Sequence, residues 1–175
     1  MQIDRIPEWN LTPALEGEIA KLLARCFATD FGARSFYQTR HHLRLVHRPE
    51  GAIIGHMALQ WRAMRLGDRL ITVAGLAEVA TDPDHRGRGI AAGLLQAAIA
   101  EAKASPADFF LLFGVARLYA AAGFRTVHNP MIWTDMLGAR THEIHRETAE
   151  ALMVLPLRGQ DWDEAQTLDL LGSLF

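Results

Sequence analysis

Apolar residues recur at two different periods along the chain, and the alternation between those periods outlines the elements. Leu15, Ile19, Leu22, Leu23, Cys26 and Phe27 fall on one stripe at helical spacing and predict a helix over about 13–27. Thr12 can cap it, Pro13 suits its first position, and Glu16 and Glu18 sit where the helix dipole favours anions. From Ala28 to Gln38 the apolar Phe31, Phe36 and Tyr37 follow no period. Leu43 to His47 reads as a short strand and Arg48-Pro49-Glu50-Gly51 as a turn. Ala52 to Met64 and Leu70 to Thr81 are long extended runs around Gly67-Asp68, a dipeptide suited to a tight hairpin, so two antiparallel strands should form the centre of a sheet. Asp82-Pro83-Asp84 stops the second. Leu94, Leu95, Ala98, Ile99 and Ala102 then mark an alanine-rich helix ending near Ser105-Pro106. Phe109 to Phe113 is a continuous apolar run, as in a strand covered on both faces. Val115 to Ala122 reads as a short helix stopped by Gly123, and Phe124 to Val127 and Ala151 to Pro156 as strands. Helix, three strands, helix, strand, helix, two strands is an α/β order around a mixed sheet.

Composition narrows the class. The 175 residues are 50% hydrophobic and 22% charged, enough to bury a core, and no repeat or linker marks a boundary, so one domain is expected over 1–175. The net charge of −2 gives no electrostatic footprint for nucleic acid. No apolar run approaches the roughly 20 residues needed to span a bilayer, so no membrane partner is expected. Met1-Gln2-Ile3-Asp4-Arg5 lacks a secretory pattern, and the single cysteine cannot form an internal disulfide; a cytoplasmic protein is the expectation. Cys26 lies on the first helix's apolar stripe and reads as a small buried hydrophobe.

One stretch carries chemistry: Val79-Ala80-Thr81-Asp82-Pro83-Asp84-His85-Arg86-Gly87-Arg88-Gly89-Ile90-Ala91. A strand gives way to a helix across a loop with two glycines and two arginines. Backbone N–H groups of such a loop can converge on one point at the positive end of the helix, which makes an anion site. Gly87 and Gly89 admit a phosphate close to the backbone, and Arg86 and Arg88 can add charge-assisted bonds. Neither the Gly-x-x-x-x-Gly-Lys-Ser/Thr nor the Gly-x-Gly-x-x-Gly motif is present. A tight turn with solvated arginines is the alternative reading of the loop alone.

Arg86-Gly87-Arg88-Gly89-Ile90-Ala91 resembles the Arg/Gln-x-x-Gly-x-Gly/Ala signature of the GCN5-related N-acetyltransferase (GNAT) superfamily, and Val79 to Pro83 is typical of its approach. Ala116 to Phe124, with Tyr119 and Gly123-Phe124, is similar to the family's Tyr-x-x-x-Gly-Phe. The resemblance covers nearly the whole chain and implies a single domain with a mixed, mostly antiparallel sheet, flanking helices and a splayed central strand pair. Gly55-His56, its spacing to Arg86, Val154-Leu155-Pro156 and the short Phe113-to-Tyr119 connection look most like the aminoglycoside 2′-N-acetyltransferase and nodulation N-acyltransferase branches. The first of these tends to end in an acidic segment containing tryptophan, whereas Gly172-Ser173-Leu174-Phe175 has neither an acidic side chain nor a tryptophan.

The resemblance implies acetyl-CoA as co-substrate, its pyrophosphate held by backbone from Arg86 to Ala91 (Gly87, Arg88, Gly89 and Ile90 between them) with the arginines helping. Its pantetheine arm would pair with Val79, Ala80 and Thr81, where a backbone N–H would face the thioester oxygen. Direct attack by a primary amine needs a base, and the leaving thiolate gains from an acid. Tyr119 matches the family's tyrosine for the acid; a packed helix tyrosine is the other reading. Glu78, the one acid inside the run Leu70 to Thr81, is a candidate base or a partner for Arg62 or Arg65. His56 is either a further candidate for base or acceptor contact, or a satisfied core histidine. His41, His42 and His47 cluster without a cysteine or paired acid to complete a metal site, so no metal is expected; His128, His142 and His145 read as surface residues. Trp133 and Trp162 either line an acceptor pocket or cap the core. Acetyl transfer to a small-molecule or sugar amine is the leading expectation. Longer acyl chains from CoA or a carrier protein, and a non-catalytic CoA-binding or protein-interaction role, stay open, as does the homodimer common in the family.

Overall fold

The computed structural model describes residues 1–114 and 117–175. Its elements are β1 (Asp4–Pro7), α1 (Pro13–Cys26), β2 (Leu43–His47), β3 (Gly55–Leu66), β4 (Arg69–Thr81), α2 (Ile90–Ala104), β5 (Phe109–Phe113), α3 (Arg117–Ala121), β6 (Arg125–Thr126), β7 (Pro130–Thr134), β8 (Ile144–Thr148), β9 (Leu152–Pro156) and β10 (Leu168–Asp169). The chain divides into two compact units, residues 1–60 with 77–100, and residues 61–76 with 101–175. β3 and β4 each run through both.

In the first unit, α1 starts where its cap predicts: Thr12 accepts a hydrogen bond from the Leu15 N–H at 3.3 Å, and Pro13 opens the helix. Its stripe buries Ile19, Leu22 and Leu23 against Ile6, Phe31, Val46, Ile53 and Ala80. β1 and β2 are antiparallel from Asp4↔Val46 to Pro7↔Leu43, and β2 and β3 from Leu43↔Leu59 to His47↔Gly55. Gly55 is small because α2 crosses there: a Cβ would lie 2.6 Å from the Ile90 side chain.

In the second unit, β3 turns into β4 through Gly67, which has φ +58°. β4 runs parallel to β5 from Val73↔Phe109 to Leu76↔Leu112, and there the ladder ends while β4 continues to Thr81. β9 is antiparallel to β5, with β6 beyond it. On the other side β10 is antiparallel to β3 and parallel to β7, which forms a hairpin with β8. Met64, Val73, Phe109, Leu111, Val154, Trp162 and Leu168 share its core.

The α/β class and the mixed, mostly antiparallel pairing agree with the sequence reading. The short helix predicted over Val115 to Ala122 is seen from Arg117; Val115 and Ala116 lie outside the described residues. Four strands escaped that reading. β1 and β10 are too short to show a period, and β7 and β8 have few buried positions, so no clean alternation marks them.

Candidate active site

β4 ends at Thr81, and its exit is pinned on several sides. The Asp82 N–H donates to Ile54 O at 2.9 Å, and the Asp82 carboxylate accepts from the Asp84 N–H at 2.9 Å and from Arg25. Burial alone would raise the Asp82 carboxyl, but bonds from His85 and the Asp84 N–H, with the charge of Arg25, hold it below the ordinary carboxylate value. A turn over Pro83–His85 follows, then Gly87 at φ +74° and Gly89 at φ +77°, then α2. Both glycines take left-handed backbone that only glycine adopts without strain, and a Cβ on either would meet nothing within 4 Å. The loop therefore opens on free space. Arg86 and Arg88 are exposed; Arg86 lies beside the Cys26 thiol and donates to Thr81 O, Arg88 donates to Asp84 O, both bonds are long at 3.4 Å, and both guanidiniums can turn to an anion. The first N–H groups of α2 have no partner within the helix. Beside the loop, His47, Ala52, Ile54, His85, Arg88 and Ile90 line part of an open cavity.

Val79, Ala80 and Thr81 are the last residues of β4, directly before this loop. Cys26 donates to Thr81 O at 3.3 Å, and burial pushes its thiol up, as suits a half-buried packing residue. Just upstream, Glu78 has φ +50°, a rare conformation for a residue with a side chain. The kink is held from three directions. His56 Nδ1 donates to Glu78 O at 2.9 Å, the Tyr37 N–H donates to Oε1 at 2.8 Å, and His41 Nε2 lies 2.8 Å from Oε2. Arg44 Nη1 is 3.7 Å from the same Oε2. Neither arginine suggested by the sequence is its partner: Arg62 donates to Ser173 O and Arg65 to Asp68 O. Glu78 instead belongs to a buried polar network that the sequence reading missed.

Arg44 is the hub of that network. It is fully buried, donating through Nε and Nη2 to the Glu8 carboxylate at 2.9 and 3.2 Å and through Nη1 to Ser35 O at 2.6 Å. Burial alone would raise Glu8, but the bonds from Arg44 and Arg40 outweigh it and hold the carboxyl below its ordinary value. His56 is also fully buried; burial, and then the Arg44 charge beside it, push it down to about 3, so it is a neutral core group. The signal available in the sequence was an arginine inside the apolar strand Leu43–His47, since a buried arginine needs a carboxylate nearby. Glu8, which supplies it, is 36 residues away, outside the reach of local patterning.

Tyr119 lies in the other unit, on α3. It is buried, its ring meets Phe124 edge-on at 6.3 Å, and burial pushes its hydroxyl above the ordinary value, so it stays protonated at neutral pH. Trp162 caps the core, edge-on to Phe109 at 5.0 Å and bonded to Asn129 Oδ1 at 2.8 Å. Trp133 is half-buried and stacks on His145 at 4.5 Å, so that histidine is not a free surface group. Among the described residues, no three of His, Cys, Asp and Glu are grouped to hold a metal ion, and no helix is long and apolar enough to cross a membrane.

Residues 10–127 match the acetyltransferase (GNAT) domain model, and the chain belongs to that family. Among solved structures it is similar to the GNAT family N-acetyltransferase YhbS of Escherichia coli in complex with CoA, at 19% identity and TM-score 0.65, covering 96% of this chain and 88% of that one. It is also similar to a GNAT family acetyltransferase of Brucella melitensis in complex with acetyl-CoA, at 19% identity and TM-score 0.61, covering 93% and 92%. A third is the ribosomal-protein-S18-alanine N-acetyltransferase of E. coli, at 17% identity and TM-score 0.59, covering 92% and 100%. A sequence search of curated proteins gave no significant match.

Proposed function

We propose that this protein is an N-acetyltransferase that moves the acetyl group of acetyl-CoA to a primary amine of a small molecule or amino sugar. The observation that carries the reading is the loop from Arg86 to Ala91, where left-handed Gly87 and Gly89, two lightly held arginines and the open start of α2 converge in a GNAT-family chain. A pyrophosphate there accepts from backbone N–H groups and meets Arg86 and Arg88. Val79, Ala80 and Thr81 pair with the pantetheine arm, and one of their N–H groups stabilises the oxyanion as the amine attacks. Tyr119 protonates the leaving thiolate; burial keeps its hydroxyl in the protonated form that can donate. Glu78, next to the thioester position, belongs to the machinery that takes the amine's proton. The aminoglycoside and nodulation branches supply the chemistry of the acceptor, an amine on a sugar. The near-neutral charge of −2 fits an acceptor that is neither polyanion nor polycation.

The test is free-thiol release from acetyl-CoA over a panel of amino sugars, polyamines and simple amines, with the product weighed by mass spectrometry. A product heavier than its amine by one acetyl group supports the reading. A panel that releases no thiol overturns it, and turnover only with longer acyl donors moves the protein to a different acyltransferase.

A further inference from the structure

His41 has one ring nitrogen bonded and the other left over. Nε2 lies 2.8 Å from Glu78 Oε2, whereas Nδ1 is buried and has no hydrogen-bond partner. The side chain is 2% exposed. A buried polar atom without a partner is uncommon and asks for a missing water or ligand group. The neighbouring His56 shows what a purely structural histidine looks like in the same network: Nδ1 goes to Glu78 O at 2.9 Å and Nε2 faces Arg44 Nη1 at 3.4 Å.

The carboxylate of Glu78 accepts, so Nε2 donates, and the tautomer this contact selects for a neutral ring has its lone pair at Nδ1. Glu78 Oε1 accepts from the Tyr37 N–H and its Oε2 faces His41, with Arg44 close behind, so that carboxylate is already engaged on both oxygens and its side chain is 7% exposed. Nδ1 of His41 is the buried atom of this cluster that has no hydrogen-bond partner. It is joined through Glu78 to Val79–Thr81, the stretch assigned above to the thioester arm.

We propose that His41 is the general base of the acetyl transfer, taking a proton from the amine through Nδ1 directly or through one water, and that Glu78 is the positioning residue that fixes its tautomer. The inference rests on the acetyltransferase reading and deepens it. In the step, the neutral amine nitrogen forms a C–N bond to the thioester carbonyl, the C–S bond breaks, the surplus N–H proton passes to His41 Nδ1, and the thiolate takes its proton from Tyr119. Solvent then reprotonates Tyr119 and deprotonates His41. The groups facing His41 are Glu78 on β4, Arg44 on β2, His56 on β3 and Glu8 ahead of α1.

The test compares wild type, His41→Gln and Glu78→Gln for acetyl-CoA binding by calorimetry and for the pH profile of kcat/KM on the amines that wild type acetylates. His41→Gln should lose about 100-fold or more in kcat at pH 7 while binding acetyl-CoA within about twofold. On weakly basic arylamines, which are already neutral and add no limb of their own, its acid limb should vanish, and the deficit should shrink as pH rises. Glu78→Gln should lose about tenfold and keep the limb. A purely structural histidine would lower every substrate and every pH alike, which would overturn the proposal. Should His41→Gln fail to fold, nitrogen-15 shifts of the wild-type histidines decide: an unprotonated Nδ1 on His41 at neutral pH is expected, and a proton on Nδ1 overturns it. A wild type that acetylates no amine of the panel overturns the function proposed above and this inference with it. A wild type that does so, with an unchanged limb in His41→Gln, overturns this inference alone.

Discussion

Replacing Arg44 by Met keeps the approximate length and volume of a fully buried side chain and removes its charge. The Glu8 carboxylate loses two bonds, at 2.9 and 3.2 Å, and Ser35 O loses one at 2.6 Å. Breaking a buried pair by removing one partner costs about 3–5 kcal/mol, because the other charge stays buried. Glu8 is 14% exposed and retains Arg40 at 3.0 Å, which places the expected loss at the lower end, about 3 kcal/mol. With an unfolding entropy near 2.1 cal/mol/K per residue, that loss lowers Tm by about 8 °C in a chain of 175 residues. Circular dichroism melts and urea unfolding at pH 7 measure it. Adding Glu8→Gln to Arg44→Met should return at least half of the loss, since the carboxylate that Arg44 bonds twice is then neutral as well. The reasoning fails if Arg44→Met lies within about 1 kcal/mol of wild type, or if the double variant is no more stable than the single one.

Other expectations concern catalysis, pH and packing. Tyr119→Phe should lower turnover at least about tenfold with acetyl-CoA affinity nearly unchanged; unchanged turnover removes the acid role. His56 falls from an ordinary 6.5 to about 3 in the folded protein, so its contribution is present above 6.5 and is lost as pH falls toward 3. Stability should drop by up to about 1.4 kcal/mol per pH unit in that range, and His56→Gln should flatten the slope between 6.5 and 4.5. Below 4.5, protonation of Glu8, whose value is lowered in the fold, adds a further loss that His56→Gln leaves in place. In Gly75→Ala, an ideal Cβ would sit 1.9 Å from Phe175 Cε1, so the ring must move. A cost of about 1–3 kcal/mol is expected from urea unfolding, and it should fall below about 1 kcal/mol in a Phe175→Ala background.

The elements legible in the sequence are those whose pattern is local. The stripe and cap of α1, the unbroken apolar run of β5 and the Gly67-Asp68 hairpin each declare themselves within a few residues. The loop from Arg86 to Ala91 was legible for the same reason, because its glycines and arginines are contiguous and its chemistry depends mainly on backbone. The partners of Glu78 were not. Tyr37 and His41 stand in a stretch without periodicity, 41 and 37 residues away, and join Glu78 only once β4 is kinked. The kink falls on a glutamate at φ +50°, a place where propensity gives no warning. Arg44 was hidden by its strand: four of the five residues from Leu43 to His47 are buried, and Arg44 is one of the four.

Calorimetric titration of acetyl-CoA into wild type and Gly89→Trp tests the central claim most directly. Micromolar binding by wild type, abolished in a Gly89→Trp protein that still melts cooperatively, is the predicted result. Gly89 stands at φ +77° with open space where its Cβ would be, so a large side chain there both strains the left-handed loop and fills the phosphate position. No binding by wild type, or equal binding by both proteins, would contradict the assignment of the loop from Arg86 to Ala91 as the acetyl-CoA site.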